Sequence, residues 1–179
     1  MKEQLQKDFH NIIKNLSLSQ KDIEIKKFSL DNFINKGFPN RKEEDWKFSD
    51  LNQIINKNIG ELSFYNDYTS TNKVDTSVFV DGLVHNKIVF INGRIEKIDF
   101  DYEKKDQIEI IDQSEIINKF ENNNSLSDLN SAFTNKSFKI VVKKGYQLSK
   151  PLIIYHTTNS KIWSKNINLR LDFELQEDS

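Results

Sequence analysis

The chain contains no cysteine among its 179 residues and has only five glycines and two prolines. The lack of cysteine excludes disulfide bonds, thiolate metal sites and a cysteine nucleophile. The scattered glycines form neither a GxxxxGK[ST] nor a GxGxxG phosphate-binding loop. No GxSxG element, the strained turn that carries a hydrolase serine, occurs either. We therefore expect neither nucleotide hydrolysis nor serine hydrolysis from this sequence.

Two further features are missing: an excess of charge of one sign, and any long hydrophobic run. Lys plus Arg is 26 and Asp plus Glu is 27, so no basic patch predicts binding to nucleic acid or to an anionic membrane. No apolar run approaches the ~20 residues of a transmembrane helix. Residues 1–16 mix charges into their apolar pattern, unlike a secretory signal. We expect a cytoplasmic protein without nucleic-acid or membrane partners.

The titratable residues do not form a recognisable catalytic or metal-binding pattern. His10, His85 and His156 lie on three different segments without HxxxH or HExxH spacing, so a metal site would require them to converge in space. We interpret His156 as a strand-end residue that faces solvent. Glu43 and Glu44 are adjacent and point apart, which is wrong for paired acid and base catalysis. We predict no catalytic, cofactor-binding or metal-binding residue.

The chain is long enough to bury about 70% of its unfolded surface, and its first segment predicts an amphipathic helix over residues 3–16. The opposite face of that helix is mixed in charge, which favours packing against another helix over a membrane surface. A second, short helix is predicted to end at Gly37. The apolar residues of the two helices are Leu5, Phe9, Ile12, Ile13 and Leu16 in the first and Leu30, Phe33 and Ile34 in the second.

Residues 37–51, GFPNRKEEDWKFSDL, combine a helix stop with a helix start. Gly37 can take the left-handed C-cap conformation without steric cost, and Pro39 prevents the helix from resuming. Trp46 and Phe48 would lie on one side of an extended segment. We interpret Trp46 as the anchor of a packed hinge, an interpretation that we favour over a binding site.

A third helix is predicted to start immediately after this hinge. Ser49 offers an N-cap oxygen, and Asp50 is favourably placed at the positive end of the helix dipole. The apolar face of this helix would be formed by Leu51, Ile54 and Ile55.

The order of residues in 37–51 resembles the N-terminal signature of the SufB/SufD family of iron–sulfur cluster assembly proteins, on its SufD side. The shared pattern is a glycine, an apolar residue, a proline and a charged run, followed by tryptophan, lysine, an aromatic residue, a hydroxyl residue, aspartate and leucine. VFINGR at 89–94 and LNSAFTN at 129–135 are similar to segments that precede the family's core.

The middle of the chain predicts a loop and then a hairpin. Residues 61–77 are polar and aperiodic, which is typical of a linker. Residues 87–100 alternate around Asn92-Gly93, and this dipeptide favours the type I′ turn of a two-residue hairpin. The apolar side chains of the hairpin are Ile88, Phe90, Ile95 and Ile98.

Further elements are predicted between the hairpin and residue 133. Residues 107–111 predict a strand, and Ser114 could cap a helix that carries Ile116, Ile117 and Phe120. Residues 121–128 are predicted to be a loop. A short helical piece then carries Leu129, Ala132 and Phe133.

The last forty residues predict strands, and the final one is the most regular. Strand centres at Ile140, Ile154 and Leu169 have the spacing of a coiled sheet in which each strand stacks on the one before, although a meander fits equally well. The final strand would have one dry side, and its backbone edge would lack a following strand. Its dry side is Ile167, Leu169, Leu171, Phe173 and Leu175, and its wet side is Asn168, Arg170, Asp172, Glu174 and Gln176.

The resemblance decides between these architectures, because the family has a right-handed parallel β-helix core. We expect an α+β protein with an N-terminal helical region (1–60), then a linker, a β-hairpin and a short helix (61–125). The first turns of a right-handed parallel β-helix (126–179) would follow, truncated relative to the family. The resemblance therefore covers this chain but only the N-terminal portion of the family.

The resemblance implies a scaffold subunit of iron–sulfur cluster assembly that is not itself an enzyme. Its partners would be a SufB-like subunit and the SufC-like ATPase. No cofactor is expected in this chain, since the iron–sulfur cluster would be handled by the assembled complex. The alternative is a carbohydrate-binding or carbohydrate-cleaving β-helix domain that uses Asp172 and Glu174, although a solvated strand face explains these carboxylates better. Membership of the SufB side of the family is a third possibility.

Overall fold

The computed structural model describes residues 1–14, 16, 18–60, 62–67, 71–113 and 124–179. Within these ranges the chain is a mixture of helices and strands, which confirms the expected α+β class. The helices are α1 (Lys2–Lys14), α2 (Gln20–Lys36), α3 (Leu51–Asn58) and α4 (Ser125–Phe133). The strands are β1 (Asn86–Ile91), β2 (Arg94–Asp99), β3 (Ile108–Gln113), β4 (Lys136–Val142), β5 (Leu152–Thr157) and β6 (Leu169–Leu175).

Two compact units make up the chain, and each combines segments that are distant in sequence. A helical unit comprises Met1–Asn66, Ser114–Asn135 and Ser164–Leu169. A sheet unit comprises Asp67–Gln113, Lys136–Trp163 and Arg170–Ser179. None of the described helices is both long and apolar enough to cross a bilayer.

The core of the helical unit contains the apolar faces predicted for α1 and α2. Phe33 is fully buried, and Phe133 of α4 stacks on Phe64 with ring centroids 3.6 Å apart. The buried members of this core are Leu5, Ile12, Leu30, Phe33, Phe38, Ile55, Leu62, Phe64, Ala132 and Phe133. Helix α2 is longer than expected, with 17 residues. Its start was missed because a capping box between Ser19 and Asp22 opens a polar first turn.

The hinge at 37–51 differs in part from its prediction. Gly37 ends α2 with a φ of 72°, and its N–H donates to the carbonyl of Phe33 at 2.7 Å, so the glycine stop is confirmed. The segment is not extended, because Glu44–Trp46 form a 3₁₀ turn. Trp46 is only half-buried and Phe48 is 90% exposed, so the buried anchor was wrong.

The start of α3 is displaced by one residue from the prediction. Asp50, not Ser49, is the N-cap, and its carboxylate accepts a hydrogen bond from the N–H of Gln53 at 2.9 Å. The apolar face is narrower than expected: Ile55 is buried, but Ile54 is exposed. α3 has eight residues, about two turns. Ile55 faces the core, and Ile54 lies on the outward side.

The predicted hairpin is confirmed. β1 and β2 pair in antiparallel register from Lys87 opposite Asp99 to Ile91 opposite Arg94. Asn92 and Gly93 form the turn with φ values of 52° and 80°, as a type I′ turn requires. The strand predicted at 107–111 is also present, as β3. The helix predicted from Ser114 to Phe120 lies outside the described residues, and α4 begins at Ser125, earlier than the predicted end of the 121–128 loop.

In the part of the chain that the structure describes, the strands form two small mixed sheets, in the orders β2-β1-β5 and β3-β4-β6. β5 pairs in parallel with β1, from Asn86 opposite Leu152 to Ile91 opposite Thr157. β3 and β4 are antiparallel. The simple stacking of each strand on the previous one was therefore wrong, because β4 and β5 belong to different sheets. Phe90 of one sheet contacts Phe138 of the other, with ring centroids 5.6 Å apart.

β6 is present, but its expected dry side is half-buried from Ile167 to Leu171 and exposed beyond. Phe173 is 53% exposed and Leu175 is 67% exposed. Alternation of apolar residues predicts which side chains share a face, whereas burial requires a second layer over that face. Within the described residues, nothing packs over this end of β6 closely enough to bury either side chain.

Candidate interaction surface

The two sheets of the sheet unit each end in a strand with a parallel partner on one side only. β5 follows β1 at one sheet edge and β6 follows β4 at the other. Among the described residues, β5 and β6 each have one neighbouring strand and lie at the edges of their sheets. The outer N–H and C=O groups of an edge strand are a template for strand addition.

Exposed apolar side chains lie on β6 and on the connection that precedes it. Phe173 and Leu175 project from β6, and Trp163, in the connection from β5, is 83% exposed. We call the outer edge of β6 together with Phe173 and Leu175 the β6 surface. Large exposed apolar side chains that adjoin a strand edge are typical of a protein interaction site.

The polar side chains of β6 are already paired within the chain. Glu174 forms an ion pair with Lys139 of β4, and Asp172 accepts from Nε of Arg170 at 2.9 and 3.0 Å. The hydrogen bond from Lys139, supported by one from Gln176, lowers the pKa of Glu174. Each carboxylate is therefore paired with a basic side chain, and the lowered pKa of Glu174 is the reverse of what the general acid of a glycosidase needs.

The three histidines occupy unrelated environments. His10 is exposed on α1, and His156 lies within β5, exposed but with one ring face stacked on Phe90 at 4.8 Å. Partial loss of solvent lowers the pKa of His156. The prediction that His156 faces solvent is confirmed, although it lies within the strand and not at its end. No cluster of three or more potential metal ligands occurs within the described ranges.

His85 is buried in a hydrogen-bonded chain that fixes its tautomer. Its Nδ1 is 2.6 Å from the carbonyl oxygen of Leu83, which can only accept, so Nδ1 carries the proton. Nε2 is then an acceptor for the hydroxyl of Tyr155 at 2.7 Å. The same hydroxyl accepts from the N–H of Val80 at 3.0 Å. This chain joins β5 to the loop before β1 and leaves His85 no exposed nitrogen for a ligand.

No local pattern in the sequence indicates a buried carboxylate, Glu103, that accepts five hydrogen bonds. Burial by itself raises the pKa of Glu103, but the hydrogen bonds outweigh it and lower the pKa to about 2. The donors are Nδ2 of Asn86 at 2.7 Å, Oη of Tyr146 at 2.7 Å, N and Oγ of Ser149 at 3.1 and 3.0 Å, and N of Lys150 at 3.1 Å. With its lone pairs occupied, Glu103 is a structural anchor for the 146–150 loop.

A second buried charge lies in the helical unit and was also missed. Lys26 of α2 is 1% exposed, and its Nζ donates to the carbonyls of Ser131 and Thr134, at the C-terminal end of α4. Burial lowers the pKa of Lys26 to about 8, against the opposing effect of Asp22. Lys26 satisfies carbonyls that a helix end leaves unpaired. It therefore connects α2 to α4.

In the described part of the chain, the buried titratable groups are thus engaged in structural contacts, and the β6 surface is the feature best suited to bind another molecule. Neither the family models nor the curated proteins compared with this chain give a match. Within the described ranges the fold is α+β, and β5 and β6 lie at the edges of two small mixed sheets.

Proposed function

We propose that this chain is part of a scaffold subunit for iron–sulfur cluster assembly, of the SufB/SufD type and on the SufD side. It would act in the cytoplasm with a SufB-like subunit and a SufC-like ATPase. The chain itself would not be an enzyme, and the cluster would be held by the assembled complex. The residue order of the hinge at 37–51 supports this choice of family.

The observation that carries the proposal is the alternation of consecutive strands between the two sheets. β4 lies in one sheet, β5 in the other, and β6 returns to the first, beside β4. Such alternation is expected of a parallel β-helix, in which each coil places a strand on each sheet. Parallel pairing of β5 with β1 agrees with such a path. We propose the right-handed parallel β-helix on this basis.

The turns between strands also support a coil. Asn92, which follows β1, and Asn159, which follows β5, are hydrogen-bonded through side chain and backbone: Nδ2 of Asn92 donates to Oδ1 of Asn159 at 2.8 Å, and N of Asn159 donates to Oδ1 of Asn92 at 3.1 Å. Stacked asparagines at equivalent positions stabilise parallel strand stacks, because each amide can donate to and accept from the next.

A scaffold binds its partners through surface and not through a pocket, and the β6 surface offers the two components of strand addition. Backbone groups of the outer edge supply affinity, and apolar side chains supply specificity. The test is reconstitution from purified components. The chain should form a complex with a SufB-like subunit and a SufC-like ATPase, detected by size-exclusion chromatography with light scattering. Failure to bind either component would overturn the proposal.

The carbohydrate alternative makes a different prediction, retention on a polysaccharide resin. No observation in the structure favours it, since Asp172 and Glu174 are each held by a basic side chain. Retention on the resin, together with no complex formation, would replace the scaffold by a sugar-binding domain.

A further inference from the structure

Asn92 and Gly93 form a dipeptide with an intrinsic chemical reactivity that is separate from the hairpin they close. Gly93 carries no side chain to shield its backbone nitrogen. When that nitrogen loses its proton to water or hydroxide, it can attack Cγ of Asn92. The bond from Cγ to Nδ2 then breaks and ammonia leaves, which gives a cyclic succinimide. Water opens the ring to aspartate or isoaspartate. The reaction takes up water, releases ammonia and needs no oxidant or reductant.

The structure fixes the side chain of Asn92 away from this reaction. Asn92 is 1% exposed. Its Nδ2 donates to Oδ1 of Asn159, its Oδ1 accepts from N of Asn159, and its own N–H donates to the carbonyl of Thr157 at 3.0 Å. Cyclisation requires the amide to rotate until Cγ faces the nitrogen of Gly93, and a side chain held at both polar ends cannot reach that geometry.

The partner of Asn92 is itself held in place. Nδ2 of Asn159 donates to Oδ1 of Asn72 at 2.8 Å, and Asn72 donates through N and Nδ2 to Glu96 at 3.1 and 3.0 Å. We call Asn72, Asn92 and Asn159 the asparagine ladder. Its members come from three separate segments of the sheet unit, so the ladder exists only while β1, β5 and the 71–75 segment are packed together.

We propose that Asn92-Gly93 is a latent site of spontaneous deamidation that the asparagine ladder keeps unreactive. Loss of the hydrogen bonds to Asn159 frees the side-chain amide of Asn92 and starts an irreversible reaction. The product does not fit back into the ladder. An aspartate at position 92 places a carboxylate oxygen against the Oδ1 of Asn159, acceptor facing acceptor. Isoaspartate adds one carbon to the backbone of a two-residue turn, which disrupts the register of β1 with β2.

The test is peptide mapping by mass spectrometry after incubation at mildly alkaline pH, which measures the replacement of an amide by a carboxyl group at Asn92. Four folded chains and one unfolded chain are compared: wild type, Asn159→Ala, Asn72→Ala, the control Ser160→Ala at an exposed neighbouring position, and wild type in urea. We expect fastest deamidation in urea and a several-fold increase over wild type in Asn159→Ala. A smaller increase is expected in Asn72→Ala and none in Ser160→Ala.

Two results would overturn the proposal. One is deamidation of folded wild type as fast as in urea. The other is an Asn159→Ala chain that circular dichroism shows to be folded and that reacts no faster than Ser160→Ala. If Asn159→Ala does not fold, the decision rests on Asn72→Ala and on wild type with and without urea: equal rates in these samples would refute protection by the ladder.

Discussion

Lys139 of β4 and Glu174 of β6 form an ion pair between neighbouring strands. Further along both strands, the N–H of Gln176 donates to the carbonyl of Val142 at 3.1 Å. Because both contacts advance in the same chain direction, β6 runs parallel to β4. Each sheet therefore combines a local antiparallel pair with a parallel partner from later in the chain. This arrangement leaves β5 and β6 at the sheet edges, and it is the basis of the functional proposal.

Glu103 predicts a stability that depends on pH in the acid range. Its pKa is lowered to about 2 from an ordinary value of 4.5. The carboxylate therefore binds its proton less readily in the folded chain, and the stability that it contributes is present above about 4.5 and is lost as the pH falls towards 2. Urea unfolding over this pH range measures the effect.

A Glu103→Gln chain should be destabilised by about 1–3 kcal/mol at neutral pH. The NH₂ group that replaces one carboxylate oxygen is a donor, and it would face the donors that now bind that oxygen. Its free energy of unfolding should also lack the change that Glu103 causes between about pH 4.5 and pH 2. Glu24→Gln is the matched control, since Glu24 is exposed on α2 and accepts only from a neighbouring side chain. Equal stability of the Glu103→Gln and Glu24→Gln chains would refute the anchoring role of Glu103.

Lys26 predicts a dependence of the same sign in the alkaline range. Burial lowers its pKa from 10.5 to about 8, so the folded chain carries the cost of a buried charge below about 8. Between about 8 and 10.5 the folded chain has lost this proton and the unfolded chain has not, so stability rises with pH, by up to about 3 kcal/mol.

Urea unfolding of wild type and of Lys26→Met across this pH range gives two curves of unfolding free energy against pH. The difference between them is the contribution of Lys26. Groups that titrate in both chains cancel in that difference. Parallel curves for the two chains would show that Lys26 titrates normally in the folded state.

The half-burial of Trp46 changes the expected cost of its removal. Full burial of a large aromatic ring makes its replacement by alanine cost about 3–5 kcal/mol, which we predict for Phe33→Ala in the centre of the helical unit. Trp46→Ala should cost less than Phe33→Ala, because solvent already reaches its ring. Thermal melting and urea unfolding of the two variants compare these costs. An equal or larger loss in Trp46→Ala would restore the buried anchor predicted from sequence.

The N-cap of α3 can be tested by two adjacent substitutions. Asp50→Ala should cost about 1 kcal/mol, because it removes the acceptor for the N–H of Gln53. Ser49→Ala should cost little. Urea unfolding measures the stability of both variants. A larger loss in Ser49→Ala than in Asp50→Ala would show that Ser49 is the N-cap.

Local signals in the sequence predicted local structure well. Gly37 and the Asn92-Gly93 turn were located because positive φ is expensive for most other residues, so the requirement is visible at the position itself. The apolar faces of α1 and α2 were found by periodicity. The start of α3 was missed by one residue because Ser49 and Asp50 are both good N-caps, and only the geometry of the turn chooses between them.

Features that depend on distant segments were not predictable. The donors to Glu103 come from Asn86 and from residues 146–150, and nothing near Glu103 indicates them. Lys26 is buried because the end of α4, more than a hundred residues later, needs a donor. Phe173 and Leu175 alternate as the residues of a buried strand do, yet they are exposed, since periodicity specifies a face and not what covers it. The pairing of strands across two sheets required the same long-range information.

Association through the β6 surface is the most direct test of the account. Phe173→Asp should change the free energy of unfolding by only about 0.5 kcal/mol, as a surface substitution does, because Phe173 is 53% exposed. It should weaken binding to a SufB-like partner, measured by titration calorimetry. Phe48→Asp is the control, a more exposed phenylalanine in the helical unit. We predict binding for wild type and Phe48→Asp and a marked loss for Phe173→Asp. Equal binding by all three would contradict the role of the β6 surface, and no binding by wild type would contradict the scaffold itself.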